Sequence, residues 1–319
     1  MRDSPASSHL LFAMMPGRGL SLHVAVSGPE QGPLVILLHG FPEFWYGWKS
    51  QIGPLADAGF RVLAPDQRGY NLSDKPQGID KYTLDALADD VVALIDAVGR
   101  EKARVVGHDW GGIVAWWTAI RHPTRVERLA ILNAPHPEFL IGRTYLRRPS
   151  QLLKSWYVLM FQLSWLPEAL LGRNGGEPLG ESLRRSSRPG TFTDDNLANY
   201  RRAWSQPGAL TAMINYYRAV FRLTLPVPAD LRVHLPTLIV WGTDDALLNR
   251  ELADESLARC DQGRLVFIDG ATHWVHHEEP EQVNRLLLEF LGADVDAPTP
   301  TEEDKLNGGT NVGQPADEP

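Results

Sequence analysis

Short strand-like runs recur along this chain, at residues 20–26, 34–39, 61–65, 103–107, 128–132, 237–241 and 265–269. Several have no polar interruption, the pattern of strands buried on both faces of a mostly parallel sheet. Helical spacing fills the gaps. The clearest case starts at the N-cap candidate Thr83, puts Leu84, Leu87, Val91, Leu94, Ile95 and Val98 on one face, and stops at Gly99. A last helix is predicted from about Pro280 to Leu291-Gly292, with Val283, Leu286, Leu287, Phe290 and Leu291 inward. Strands alternating with helices predict an open α/β sheet flanked by helices.

The alternation stops between residues 136 and 227. That stretch is rich in Leu, Trp, Tyr and Arg, has helical spacing and offers no strand, so it predicts an inserted helical cap. Within it, the Gly/Ser/Arg-rich stretch 172–190 reads as a mobile connection. The expected organisation is a core formed by residues 1–135 and 228–292, the cap at 136–227, and an acidic tail at 293–319. The tail has hardly any large apolar group and cannot bury enough surface to fold.

Composition narrows the function classes. The chain has 319 residues, 43% hydrophobic and 22% charged, as in ordinary globular proteins. A formal net charge of −8 argues against nucleic acid or an anionic membrane as partner. Cys260 is the single cysteine, so an internal disulfide is impossible and a reducing cytoplasm is expected. Residues 10–15 are apolar but lack the basic flank and cleavage site of a signal peptide, and no run is long enough to span a bilayer.

The chemistry is concentrated at the strand ends. Gly107-His108-Asp109-Trp110-Gly111-Gly112 lies between the strand at 103–107 and a helix expected over 113–120. Small residues around a central side chain on a strand-to-helix turn form the nucleophile elbow of α/β-hydrolases. Here the nucleophile position carries an aspartate. Serine there needs a base before it can attack a carbonyl; a carboxylate is already anionic and can attack saturated carbon, leaving an ester on the enzyme. The expected substrates therefore shift from esters to epoxides or alkyl halides. Trp241-Gly242-Thr243-Asp244-Asp245 and Gly270-Ala271-Thr272-His273-Trp274 follow later strands, giving the order nucleophile, acid, histidine. The Trp-Gly-x-x-Asp spacing selects Asp245 over its neighbour Asp244. His276 and His277 compete with His273 but lack the preceding Gly-Ala-Thr loop. Asp66 and Arg68 read as turn and core ion-pair residues.

With His39-Gly40-Phe41-Pro42-Glu43, Asp66-Gln67-Arg68-Gly69-Tyr70, the elbow and His273-Trp274-Val275 together, the chain resembles soluble epoxide hydrolases over residues 15–292. The resemblance implies two cap tyrosines that hold the epoxide oxygen. Their motifs fall on Tyr157, four residues before Phe161-Gln162, and on Tyr217 in Asn215-Tyr216-Tyr217-Arg218. It further implies an oxyanion hole from the backbone N–H groups of Phe41 and Trp110, and a substrate site bordered by His39, Pro42, Trp110, Tyr157 and Tyr217. The expected partners are a small hydrophobic epoxide and water, with no metal or organic cofactor. Haloalkane dehalogenases share the aspartate, but they use an asparagine after the His-Gly pair or a second tryptophan, and Phe41 occupies the first of those positions. Fluoroacetate dehalogenases carry arginine where Trp110 stands. A catalytically silent binding relative remains as the alternative of another class, against which Asp109, Asp245, His273 and both tyrosines speak.

Overall fold

Uninterrupted apolar runs pair into a sheet because neither of their faces tolerates water. A computed structural model describes residues 10–141, 149–224 and 226–292. Its strands are β1 (Leu11–Pro16), β2 (Ser21–Ser27), β3 (Leu34–Leu38), β4 (Arg61–Pro65), β5 (Ala103–His108), β6 (Val126–Leu132), β7 (Val233–Gly242) and β8 (Cys260–Ile268). They form one sheet in the order β1-β2-β4-β3-β5-β6-β7-β8. The β1/β2 and β2/β4 pairs are antiparallel, and every pairing from β4 to β8 is parallel.

Helices cover both faces. α1 (Lys49–Asp57) packs on one side, while α2 (Leu84–Ala97) and α3 (Trp110–Arg121) lie on the other. Thr83 caps α2 by accepting from the Ala86 N–H at 3.3 Å, and Gly99, at φ 67°, follows its C-cap Val98. Between β6 and β7 the described residues contain α4 (Glu138–Ile141), α5 (Pro149–Lys154), α6 (Trp156–Phe161), α7 (Leu166–Leu171), α8 (Glu177–Arg185), α9 (Asp194–Trp204) and α10 (Ala209–Arg222), with no strand. After β7 come α11 (Glu251–Leu257), α12 (Val275–Glu278) and α13 (Pro280–Gly292), the last packing beside α1.

Three differences from the sequence expectations have physical causes. β1 escapes a search for buried strands because it is an edge strand whose residues are nearly all exposed. The stretch 172–190 is not simply an irregular connection: α8 lies inside it and buries Leu179 and Leu183 at helical spacing beneath a polar face. α3 begins at Trp110 rather than Ile113, since the elbow itself is the helix start. The expected acidic tail lies outside the described residues.

Candidate active site

The elbow is tight because glycine lets it be. Asp109 sits between β5 and α3 at φ 51° and ψ −121°, a strained conformation for a residue with a side chain. A Cβ on Gly111 would stand 2.0 Å from the Leu38 carbonyl oxygen, so only glycine lets α3 approach β3 this closely. A Cβ on Gly40 would meet the Asp109 Cβ at 2.4 Å. The loop after β3 can therefore lie directly against the aspartate, and the Phe41 N–H donates to Asp109 Oδ1 at 2.8 Å. Trp110 supplies the first residue of α3, whose N-terminal N–H groups and dipole favour negative charge at this point.

β7 and β8 deliver the other two members. His273 Nδ1 lies 2.8 Å from Asp245 Oδ2, and its Nε2 lies 3.4 Å from Asp109 Oδ2. Asp245, rather than Asp244, thus meets the histidine. Its Oδ1 accepts from the N–H groups of Leu247 and Leu248 at 2.7 and 2.8 Å. Burial opposes ionisation of Asp245, yet the His273 charge and these hydrogen bonds bring its pKa below the usual carboxylate value. Burial likewise opposes the imidazolium of His273, but the charge of Asp245, the hydrogen bond to it and the charge of Asp109 raise its pKa to about 10.

Tyr157 on α6 and Tyr217 on α10 face this constellation across an apolar chamber. Asp109, Trp110, Tyr157 and Tyr217 line one part of it, with Ile113, Phe139, Val158, Phe221 and Leu248 among the remainder. The Tyr217 ring is held edge-on by Phe41, Trp110 and Phe161 at centroid distances of 5.4, 4.9 and 4.9 Å. Burial, then the charges of Asp109 and Asp245, push the Tyr157 hydroxyl pKa upward; burial, then Tyr157 and Asp109, do the same for Tyr217. Both phenols are therefore protonated at neutral pH and available as donors.

Two expected substrate neighbours lie elsewhere. His39 is fully buried behind the site: its Nε2 accepts from the Gln67 N–H at 3.0 Å and its Nδ1 reaches the Gly40 carbonyl at 3.0 Å. Pro42 is buried too, and its carbonyl accepts from the Trp204 indole at 2.6 Å. Neither is among the residues lining the chamber, so both shape the loop that carries Phe41. Asp66 accepts from the Trp45 N–H, and Arg68 pairs with Asp90 at 2.6 Å, the structural roles expected of them. His276 and His277 point at Glu43 rather than at Asp109.

Asn133 was not visible as a site residue in the sequence. At the end of β6, with φ 42°, it donates from Nδ2 to Asp245 Oδ2 at 2.8 Å and accepts the Gly242 N–H on Oδ1 at 3.2 Å. The same carboxylate oxygen therefore holds both His273 and Asn133. The sequence carried no signal beyond an asparagine just after a strand, a residue type that tolerates the left-handed conformation found there. Lys154 adds a further tie, donating to the Asp245 carbonyl at 3.0 Å.

An aspartate on the elbow, with a histidine and an acid from later strands of an eight-stranded, mostly parallel sheet, is the arrangement of an α/β hydrolase. The α/β hydrolase fold family matches residues 33–280, and the chain belongs to it. Among its relatives, AB hydrolase superfamily protein YfhM of Bacillus subtilis is 51% identical over 86% of this chain and 95% of its own. Epoxide hydrolase 1 of Caenorhabditis elegans is 42% identical over 85% of this chain and 67% of its own. The crystal structure of Bacillus megaterium epoxide hydrolase in complex with an inhibitor superposes with a TM-score of 0.79 at 29% identity, covering 88% of this chain and 100% of that one.

Proposed function

We propose that this protein is an epoxide hydrolase that adds water to an epoxide through a covalent ester on Asp109, giving a vicinal diol. The observation that carries this reading is the pair of protonated phenols, the buried Tyr217 and the half-buried Tyr157, lining an apolar chamber together with the Asp109 carboxylate. Halide leaves as a stable anion and needs only weak donors; an epoxide oxygen leaves as an alkoxide and needs a proton. Residues 136–227 act as the cap that brings these donors over the core, and a cytoplasmic location agrees with the single Cys260. Among the described residues, no helix is long and apolar enough to cross a membrane.

In the proposed sequence, Asp109 Oδ1 stays with the Phe41 N–H while Oδ2 attacks a ring carbon. The C–O bond breaks as a tyrosine proton passes to the ring oxygen. With the Asp109 charge gone, His273 passes its resting proton to the tyrosinate; the neutral imidazole then takes a proton from water, and hydroxide adds to the ester carbonyl. Oxyanion charge gathers on Oδ1, where the Phe41 N–H already donates at 2.8 Å and the Trp110 N–H begins α3. Collapse releases the diol, with the His273 proton going to the leaving alkoxide and the new aspartic acid proton restoring the imidazolium.

The test is a single turnover of a terminal epoxide in water enriched in oxygen-18, with a matched chloroalkane in parallel. Label should enter the Asp109 carboxylate and stay out of the first diol, and halide release should be negligible. His273→Gln should stall as a substrate-mass adduct on the Asp109 peptide. Label in the first diol, or dehalogenation without epoxide opening, would overturn the proposal.

A further inference from the structure

His273 stands on the loop between β8 and α12, where no helix or strand ladder fixes its main chain. Part of the hold on this loop comes from the core. The Thr243 hydroxyl accepts from the Gly270 N–H at 2.8 Å, the Asp244 N–H donates to the Ala271 carbonyl at 2.9 Å, and His108 Nε2 lies 2.9 Å from the His273 carbonyl. The rest comes from Glu278 and from the cap.

Glu278, the last residue of α12, has a side chain with no solvent exposure. Its Oε2 accepts from the Thr272 N–H at 2.8 Å and its Oε1 from the Thr272 hydroxyl at 2.7 Å, which closes the loop around the histidine. A third donor reaches Oε1 from outside the core. It is the main-chain N–H of Arg188, at 2.7 Å, on the cap segment between α8 and α9. A buried carboxylate is stable only while donors surround it, so withdrawing this segment strips a donor from the group that closes the histidine loop.

The Arg188 side chain returns to the same loop. Its Nε donates to the Gly270 carbonyl at 2.9 Å, and its Nη1 pairs with Glu279 Oε1 at 2.5 Å. Nearby on the segment, the Ser186 hydroxyl accepts from the Trp274 indole at 2.9 Å, and the Phe192 ring meets the Trp274 ring edge-on at 5.3 Å. The cap therefore grips the loop on both sides of His273. A half-exposed ion pair stabilises little by itself. What sets this one apart is that its neighbours converge on the residues that carry the catalytic histidine.

We propose that Arg188 and Glu278 form a latch by which the cap positions the His273 loop for ester hydrolysis. Neither residue lines the chamber; both act through the main chain around His273, as positioning residues. The latch deepens the proposed two-step reading and rests on it for its kinetic consequence. Attack of Asp109 on the epoxide needs no base, so the latch has no part in that step. The water step does need one, and a displacement of the imidazole by about 1 Å is enough to slow it about a hundredfold. The cap then serves both half-reactions, the first through the tyrosines of α6 and α10, the second through the segment before α9.

The test uses the full chain with Arg188→Ala and with Arg188→Met, which keeps the apolar stem, removes the donors and decides the matter if the alanine variant does not fold. Arg185→Ala is the control, since that arginine pairs with Glu181 on its own helix. In single-turnover stopped flow, both Arg188 variants should form the ester within about twofold of the wild-type rate and hydrolyse it about tenfold more slowly. The adduct should accumulate on the Asp109 peptide. A second readout needs no substrate: NMR of the resting protein follows the His273 Nδ1 proton, which faces Asp245 Oδ2 at 2.8 Å. In the Arg188 variants this proton should exchange with water at least about tenfold faster, as the loop opens more often. Equal slowing of both half-reactions would overturn the proposal, because the whole cap would then have lost its shape. So would unchanged hydrolysis with unchanged proton exchange, or the same losses in Arg185→Ala, which would trace them to net charge. If the wild-type chain opens no epoxide, the proposed activity fails, and the proton exchange decides the latch by itself.

Discussion

Replacing Asp109 by asparagine tests how the catalytic histidine first holds and then loses its proton. In the resting site the His273 pKa is raised to about 10 against the pull of burial, by Asp245 and then by Asp109. The sign matters: a raised pKa keeps the imidazole protonated at pH 7, and a protonated imidazole cannot be a base. Asp109 Oδ2 stands 3.4 Å from Nε2, and a unit charge there is worth about 5 kcal/mol at an effective dielectric constant of 20. The Asp109 side chain is 20% exposed, so water screens part of this. With one pH unit equal to about 1.4 kcal/mol, the Asp109→Asn change should lower the His273 pKa by about 2 units, to about 8. Ring-proton and nitrogen NMR titrations of both proteins measure it directly. The alkylated enzyme carries a neutral ester at the same place, so ester formation should itself convert His273 from acid to base. Hydrolysis of a trapped ester should accordingly speed up with rising pH and level off above the lowered value. An Asp109→Asn histidine titrating within about half a unit of wild type would refute this coupling, because the proton would then be held by Asp245 alone.

Three further outcomes follow from named contacts. Tyr157→Phe and Tyr217→Phe should each slow ester formation in stopped-flow traces, and the double change should cost at least about a hundredfold, the usual loss when a donor to developing oxyanion charge is removed; wild-type alkylation in the double variant would exclude these phenols as acids. Asn133→Ala leaves the Gly242 N–H unpaired and takes a donor from a buried carboxylate, so denaturant melts should show a loss of about 2–4 kcal/mol, with ester hydrolysis slowed more than ester formation. Gly40→Ala puts a Cβ 2.4 Å from that of Asp109, and displacing the nucleophile by even an ångström should lower kcat/KM by about a hundredfold.

How much was legible in the sequence depended on whether the signal was local. β3 could be seen because its burial on both faces leaves an unbroken apolar run, and β5 because Arg104 alone interrupts its apolar run before His108. β1 could not, because an exposed edge strand has no such run, and the polar beginning of β8 is hidden for the same reason. Asp109, Asp245 and His273 stand in short motifs at strand ends, so spacing was enough to choose Asp245 over Asp244. Tyr157 and Tyr217 are two aromatics among many on the cap helices, and only resemblance to a family singles them out. Asn133 acts on a carboxylate 112 positions away, and Glu43 meets histidines more than 230 positions away. No local pattern encodes such contacts; they exist only once β6 lies beside β7 and α12 folds over the loop after β3.

The carboxylate nucleophile changes what the rest of the site must do. A serine elbow needs its histidine neutral from the start, since the first event is loss of a hydroxyl proton. Asp109 needs no base for its attack, so a resting imidazolium costs nothing at that stage and adds positive potential beside the anion. What the first step lacks is an acid, and on the proposed reading Tyr157 and Tyr217 of the chamber wall supply it, their hydroxyl pKa values pushed further up by their surroundings. The histidine becomes useful only when the aspartate charge has vanished into the ester. Each group is therefore held in the wrong state for the other half-reaction, and ester formation is the event that exchanges them. The strained turn at Asp109, the Gly40 approach and the Asp245–Asn133 pairing serve one requirement: the carboxylate must be close enough to His273 for its charge to set the proton, yet open to the chamber on its other side.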